Sequence, residues 1–168
     1  MSRPTFRIHG PRGIVERAAE AIAEHARAHR ERASYRADRI PVTEIMTTHV
    51  VCALPDLEVS ALVDVMIGQR LGCVPIVNES GQPIGMVTKL DIVEHLAAPS
   101  SKLAPVVGDV MMPLAITLDD NATIAHAATL MASEDMHHVM VVSARRLVGI
   151  VSTMDVTRWL AEHPGTAG

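Results

Sequence analysis

EIMTTHVVCALPDLEVSALVDVM, at residues 44–66, decides the fold, because it recurs as DVMMPLAITLDDNATIAHAATLM at residues 109–131. The paired positions are 65 residues apart, as Met46 and Met111 illustrate. Apolar residues and turn residues fall at matching places in the two stretches. Self-similarity at a fixed spacing of this length is typical of a duplicated structural unit.

The duplication extends beyond these stretches and includes one change of spacing. GCVPIV at 72–77 aligns with HHVMVV at 137–142, still at a spacing of 65 residues. GMVTKLDIV at 85–93 aligns with GIVSTMDVT at 149–157, at a spacing of 64 residues. The lost residue falls in a predicted turn, where a duplicated fold tolerates a change of length.

Each copy predicts the same elements: a strand, a helix, two strands joined by a hairpin, and a second helix. Apolar residues recur at helical spacing in the first helices, and continuous apolar runs indicate buried middle strands. The expected first strands are 50–52 and 115–117, and the helices after them begin at Asp56 and at Asp120 or Asn121; the middle strands are 73–77 and 138–142, and the second helices 89–96 and 153–161.

The fold class is therefore predicted as α/β, in the wider sense α+β, with tandem β-α-β-β-α repeats packed sheet to sheet after an N-terminal helix. One copy of about sixty residues is marginal as an independent core, which favours the paired arrangement. The predicted divisions are a basic helical arm at 1–40, a first repeat at 41–97, a linker at 98–106, a second repeat at 107–163 and a tail at 164–168.

Three features of the repeats carry a resemblance to a known family. They are the hydrophobic-Met pairs Ile45-Met46 and Val110-Met111, the strand with Val74-Pro75-Ile76, and the closing Gly-h-h-[Ser/Thr]-x-x-Asp, where h is apolar. Over roughly 41–162 the chain resembles two cystathionine-β-synthase (CBS) domains, which together form a Bateman module. The resemblance implies a regulatory module, not an enzyme, that senses AMP, ADP, ATP, NAD or S-adenosylmethionine in the cleft between its repeats. It also implies a homodimer and a regulated protein whose identity the sequence does not give.

The segments Thr88-Lys-Leu-Asp91 and Ser152-Thr-Met-Asp155 stand where a strand passes into a helix. One interpretation is capping, in which the hydroxyl accepts a backbone N–H and the acid complements the helix dipole. The other is ligand binding, because helix N-termini attract anions and a carboxylate can accept both hydrogen bonds of a ribose diol. In similar CBS domains the Asp holds ribose hydroxyls and the Ser or Thr lies near phosphate. Capping and binding are compatible, so both interpretations stay open.

The resemblance also implies a wall for an adenine base, between the first strand of a unit and its buried second strand. Core packing alone accounts equally well for every apolar residue in this set. The residues are Val50, Val51, Val74 and Ile76 in the first repeat, Ala115, Ile116, Val139 and Met140 in the second, and Thr47, Thr48 and Leu114 where related domains contact the base.

Phosphate binding needs cations, and few are available outside the arm. Lys89 and Arg158 lie nearest to the two [Ser/Thr]-x-x-Asp segments, although each is also explained by a solvated surface role. If no cation converges, AMP or S-adenosylmethionine becomes a better ligand than ATP.

Other chemistry has weaker support in the sequence. His25 and His29 are spaced four residues apart on a predicted helix but lack an evident third metal ligand, so no metal site is predicted. Cys73 begins a buried strand without a partner pattern, and neither Gly-x-Ser-x-Gly nor a phosphate-binding loop with Lys is present. No catalytic role and no required cofactor are expected.

The N-terminal arm offers an alternative function. Residues 1–40 carry nine arginines against five acids, whereas the remainder carries six bases and fourteen acids. A helix over 11–36 that docks by its Ala/Ile face is the simpler interpretation, and the alternative is a dimeric interaction or DNA-associated scaffold that acts through this Arg-rich helix. The interleaved acids make nucleic acid an unfavoured partner. No apolar run has the length of a signal peptide or a membrane span, so a cytoplasmic protein is expected.

Overall fold

The structure is a computed structural model, and it describes residues 6–9, 36–97 and 103–163. Five helices and six strands are numbered here in chain order. They are β1 (Phe6–His9), α1 (Val59–Gly68), β2 (Cys73–Val77), β3 (Pro83–Thr88), α2 (Lys89–Ala97), α3 (Val107–Val110), β4 (Ala115–Asp119), α4 (Ile124–Ser133), β5 (His138–Ser143), β6 (Arg146–Ser152) and α5 (Thr153–Glu162). A short 3-10 helix, Arg36–Asp38, precedes the first repeat, and a second, Val42–Glu44, lies at its start.

The second repeat builds a four-stranded sheet in the order β1-β4-β5-β6. Strand β4 runs parallel to β5, and β5 is antiparallel to β6. The predicted order of elements in this repeat is confirmed. Strand β1 was not predicted; it pairs antiparallel with β4 and adds an outer edge to the sheet.

The first repeat forms a smaller sheet, and its predicted first strand at 50–52 is wrong. Only Ala53 pairs with β2, through one parallel bridge to Ile76. Ala53 donates its N–H to the Pro75 carbonyl and accepts from the Val77 N–H. The next parallel bond toward the N-terminus would need an N–H at Pro75, which proline lacks. Met140 occupies the equivalent position in the second repeat, where the strand continues.

The predicted helix starts also need correction. Asp56 lies in a turn, and the N-cap of α1 is Glu58, whose side chain makes no capping bond. Asp120 and Asn121 likewise lie in a turn before α4. The N-cap of α4 is Thr123, whose hydroxyl accepts the backbone N–H of His126. In both helices the turn residues precede the actual cap by two or three positions.

The leading segment of each repeat packs on the other repeat. Val42 is fully buried in the hydrophobic core of the second repeat, and Val107 is fully buried in the core of the first. The Val42 N–H donates to the Ala122 carbonyl and the Val107 N–H to the Leu57 carbonyl, each at 2.8 Å. Val107 lies 65 positions after Val42, and Ala122 lies 65 positions after Leu57. The two hydrogen bonds are therefore equivalent, and the repeats exchange segments by a pseudo-twofold relation.

Two glycines allow this exchange. A Cβ at Gly149 would clash with the Met46 side chain, and a Cβ at Gly85 would lie 2.5 Å from the Met112 carbonyl oxygen and 3.1 Å from the Met111 sulfur. The hydrophobic-Met pairs therefore lie over the glycines that open the [Ser/Thr]-x-x-Asp motifs of the opposite repeats. This contact explains why these motif elements occur together.

Part of the N-terminal region lies outside the described residues. The predicted helix over 11–36 falls almost wholly there, as do His25, His29, residues 98–102 of the linker and the tail at 164–168. The resolved end of the arm, around Ala37 and Ile40, packs on the core of the second repeat. Within the described residues, no helix has the length and apolarity needed to cross a membrane.

Candidate functional site

Both [Ser/Thr]-x-x-Asp motifs form capping boxes at the start of a second helix. The Asp91 Oδ2 accepts the Thr88 N–H at 2.6 Å and its hydroxyl at 2.7 Å, and the Thr88 Oγ1 accepts the Asp91 N–H at 3.3 Å. Ser152 and Asp155 make the same three bonds, at 2.8, 2.6 and 3.2 Å. The capping interpretation is therefore confirmed in both copies.

Capping leaves the second carboxylate oxygen of each acid available. The two Oδ1 atoms differ in their contacts. The Oδ1 of Asp155 lies 3.3 Å from the guanidinium of Arg158, a residue whose side chain is 63% exposed. At Asp91 no further bond is found among the described residues. Because an exposed ion pair is worth little, Arg158 can be displaced from Asp155 at small cost.

The exchanged segments place each motif next to the opposite repeat. Thr47 makes two backbone hydrogen bonds to Ile150, two residues before Ser152 in β6. Met112 makes two such bonds to Met86, two residues before Thr88 in β3. The segment that carries the predicted base-contacting residues of one repeat thus pairs with the strand that leads into the predicted ribose-contacting motif of the other.

Two candidate sites follow from this placement. We define the candidate Asp155 site by the predicted residues Thr47, Thr48, Val50, Val51, Ser152 and Asp155, with the predicted cation Arg158. We define the candidate Asp91 site by the predicted residues Leu114, Ala115, Ile116, Thr88 and Asp91, with the predicted cation Lys89. Each site draws on both repeats, an arrangement that the repeat alignment by itself does not reveal.

The two sites differ in how open they are. Thr47 and Thr48 are exposed and Val50 and Val51 half-buried, whereas residues 114–116 are buried. Strand β1 pairs with Ala115 and Ile116 and covers the edge of β4. The Asp155 site is therefore the more accessible of the two.

The predicted residues on the middle strands lie in the core. Val74, Ile76 and Val139 are fully buried, and Met140 is 1% exposed. Three of them belong to the two hydrophobic core clusters. In this structure these four residues support the strands and present no surface to a cleft.

His138 contacts residues next to both motifs, and it was not predicted as a site residue. It pairs with Ser152 across β5 and β6, and its imidazole lies so close to Gly72 that a Cβ there would be 3.4 Å from the ring. Gly72 in turn accepts the N–H of Lys89, the residue after Thr88. Burial lowers the pKa of His138, His137 lowers it further, and Asp155 raises it. The adjacent-histidine pattern was the only signal in the sequence.

A family model described as the CBS domain matches residues 42–98 and 107–162. The chain belongs to the CBS domain family. The matched CBS domains coincide with the two repeats, so the resemblance seen in the sequence and the mixed helix-and-strand fold are both confirmed.

Curated relatives differ in how much of their length the CBS pair covers. Hypoxic response protein 1 of Mycobacterium tuberculosis is 31% identical over 121 residues, which span 71% of this chain and 85% of that protein. The uncharacterized protein MJ1404 of Methanocaldococcus jannaschii is 30% identical over 134 residues, 72% of this chain but only 32% of that protein.

Solved CBS pairs share the fold. The CBS domain pair of protein MJ0100, in complex with 5'-methylthioadenosine and S-adenosyl-L-methionine, superposes with a TM-score of 0.66 at 26% identity and covers 73% of this chain and 97% of that one. Hypoxic response protein I, with two coordinated zinc ions, gives a TM-score of 0.64 at 28% identity and covers 71% and 98%.

Two cations with described side chains adjoin the motifs in the sequence, one in each repeat. Lys89 is exposed at the first position of α2, and Arg158 is held by Asp155 on α5. The position equivalent to Arg158 in the first repeat is the acid Glu94. Among the described side chains, Lys89 and Arg158 are therefore the predicted cations that stand next to the two motifs.

The described residues form no cluster for a metal ion of the kind present in hypoxic response protein I. Within the described ranges, no three His, Cys, Asp or Glu side chains lie close enough together to hold one. Cys73 is buried, which raises the pKa of its thiol to about 12, so it is a poor thiolate ligand. We assign no metal chemistry to these residues.

Proposed function

We propose that this CBS pair is a regulatory module that binds an adenosine-containing ligand between its repeats. The observation that carries the proposal is the backbone pairing of the strand before each capped carboxylate with the leading segment of the opposite repeat. A ligand in either site would touch both repeats at once. A site built in this way favours sensing, because binding changes how the two repeats are held together.

The Asp155 site is the better candidate for the first binding event. The carboxylate of Asp155 has one oxygen committed to the cap and one that, among the described residues, contacts Arg158, so a ribose diol can take the place of the arginine. Thr47 pairs with Ile150 in β6, and both Thr47 and Thr48 are exposed, so they could supply polar atoms for the edge of a base. Half-buried Val50 and Val51 provide an aliphatic surface for its face.

Lys89 and Arg158 are the cations with described side chains next to the motifs, one in each repeat, and this favours a ligand with little phosphate charge. A single cation next to each motif suits a nucleoside, a thioether nucleoside or a monophosphate better than a triphosphate. The complex of the MJ0100 CBS pair with 5'-methylthioadenosine and S-adenosyl-L-methionine supports this class of ligand. We therefore propose 5'-methylthioadenosine, S-adenosyl-L-methionine and AMP as better ligands for this chain than ADP, ATP and NAD.

The functional output follows from differential binding. A ligand that contacts β6 and the segment around Thr47 stabilises the arrangement in which those elements are paired. A ligand shifts a conformational equilibrium only by its difference in affinity for the two states. A regulated protein that contacts one arrangement would then respond to the ligand without any catalytic step in this chain.

A thermal-shift panel tests the proposal, with AMP, ADP, ATP, NAD, S-adenosyl-L-methionine and 5'-methylthioadenosine as ligands. A ligand at a hundred times its Kd adds about 2.7 kcal/mol, which raises the melting temperature by several degrees. Asp155→Ala should abolish most of the shift, and Glu94→Ala, an exposed acid on α2, should leave it unchanged. Absence of a shift with all six ligands would refute the proposal.

A further inference from the structure

Strand β1 occupies the edge of β4 on which the Asp91 site depends. It pairs antiparallel with β4, and Ile8 stands opposite Ile116 and His9 opposite Ala115. Ala115 and Ile116 are two of the three residues predicted to contact the base in that site. The other edge of β4 is taken by β5. The N-terminal strand therefore lies along the backbone that a base in the Asp91 site would need.

The first repeat has no such strand at the equivalent place. Val50 and Val51 correspond to Ala115 and Ile116, 65 positions later. Both valines are half-buried, and among the described residues no strand pairs with them. Ala115 is fully buried and Ile116 is 8% exposed. Since β1 lies outside both repeats, the duplication does not account for this difference, and the strand covers one site only.

An adenine base and a β-strand make the same kind of contact with a backbone edge. A strand residue offers its neighbour an N–H donor and a C=O acceptor. Adenine offers its N6 amino group as a donor beside a ring nitrogen as an acceptor. Both therefore suit the free donors and acceptors of an extended strand such as β4. Because they would fill the same space along that edge, β1 and a base exclude each other at Ala115 and Ile116.

The size of β1 suits a displaceable cover. The strand has four residues and lies at the outer edge of its sheet. A strand this short makes few ladder hydrogen bonds, and each contributes only modestly to stability. The apparent affinity of a site falls in proportion to the fraction of chains in which the site is open. A strand paired in about nine chains of ten raises the apparent Kd about tenfold.

We infer that β1 is an autoinhibitory strand that closes the Asp91 site to an adenosine-containing ligand while it pairs with β4. The inference rests on the proposed function and adds an order of binding to it. The first ligand enters the Asp155 site, and the Asp91 site fills only in chains from which β1 has been released. Pairing of β1 thus sets whether a chain holds one ligand or two.

Two adjacent substitutions in the full-length chain weaken β1 without touching either site. The N–H groups of an edge strand point alternately toward the neighbouring strand and away from it. In the proline variant, Arg7→Pro with Ile8→Pro, one of the two changes therefore removes a bond to β4. The control variant, Arg7→Thr with Ile8→Val, keeps both N–H groups and places strand-favouring residues at the same positions.

Equilibrium dialysis with 5'-methylthioadenosine measures the effect in chains that also carry Asp155→Ala, which isolates the Asp91 site. The proline variant should lower the Kd about tenfold, and the control variant should leave it unchanged. Adding Asp91→Ala to the proline variant should abolish the gain. In chains with Asp155 intact, binding at the Asp155 site verifies that the proline variant is folded.

The outcomes separate this inference from the proposed function. Absence of binding by every chain, including the wild type, would refute both. Binding by the wild type through Asp155, with no gain from the proline variant, would overturn the inference alone. Weaker binding by the proline variant at the Asp91 site, or two sites of equal affinity in the wild type, would also overturn it.

Hydrogen exchange in the wild type provides a second measurement that needs no substitution. At a concentration of 5'-methylthioadenosine that fills both sites, the amides of β1 should exchange faster, because the ligand displaces the strand. The amides of β6 should exchange more slowly, because that strand lies beside an occupied site. Exchange at β1 that slows or stays constant under these conditions would contradict the inference.

Discussion

Thr47 and Ile150 exchange two backbone hydrogen bonds, with N–O distances of 2.9 and 3.0 Å, although 103 positions separate them in the sequence. Through this bridge the leading segment of the first repeat pairs with β6, at the edge of the second sheet. Met112 and Met86 repeat the relation on the other side. The two repeats are thus interlocked, and each candidate site contains residues of both.

Interlocking makes Val42 a core residue of the second repeat. Val42→Ala should lower the free energy of unfolding by about 2 kcal/mol, because two buried methyl groups are lost and a cavity remains. Denaturation by urea measures the loss, and Leu103→Ala, at an exposed position, serves as the control. Hydrogen exchange should rise first at the amides of β5. A loss as small as that of the control, or exchange that rises first in β2, would contradict the exchanged packing.

The contact between Gly149 and Met46 should appear as a coupling of two substitutions. Gly149→Ala should cost about 1 to 3 kcal/mol of stability, because the added methyl group meets the methionine side chain. Adding Met46→Ala should cost less in this background than in the wild type. Gly85→Ala should not be relieved in this way by Met111→Ala, because its nearest neighbour is the Met112 backbone carbonyl. Strictly additive losses at Gly149 and Met46 would refute the contact.

His138 should make stability depend on pH below neutrality. Burial, the first cause, lowers its pKa in the folded chain below the ordinary value of 6.5. The unfolded chain then binds the proton more readily, so stability is fully present above pH 6.5 and decreases as the pH falls toward the folded pKa. Urea denaturation at pH 7.5 and 5.5 should give a smaller difference for His138→Gln than for the wild type. The control is His49→Gln, at an exposed position. Equal differences in all three proteins would contradict the assignment.

The sequence predicted the repeated elements well because each depends on local pattern. The apolar run of β2 and the helical spacing of α1 identify those elements without reference to the rest of the chain. The capping boxes at Thr88 and Ser152 were predicted for the same reason, since all their atoms lie within four residues.

The remaining features depend on contacts that no local pattern encodes. The predicted strand at 50–52 does not form, because Pro75 on the neighbouring strand has no N–H to donate. The pairing of Thr47 with β6, and hence the composition of each candidate site, results from the exchange of segments between repeats. His138 was missed because its significance comes from Gly72, in the other repeat.

A crystal structure of the chain grown with 5'-methylthioadenosine tests the central claim most directly. The ligand has a ribose diol and an adenine but no phosphate, so it isolates the role of the carboxylates. We predict both ribose hydroxyls within hydrogen-bonding distance of the Asp155 or Asp91 carboxylate, and the base against the leading segment of the opposite repeat, residues 47–51 for Asp155. An empty cleft at saturating ligand, or a ligand bound without contact to either aspartate, would contradict the account.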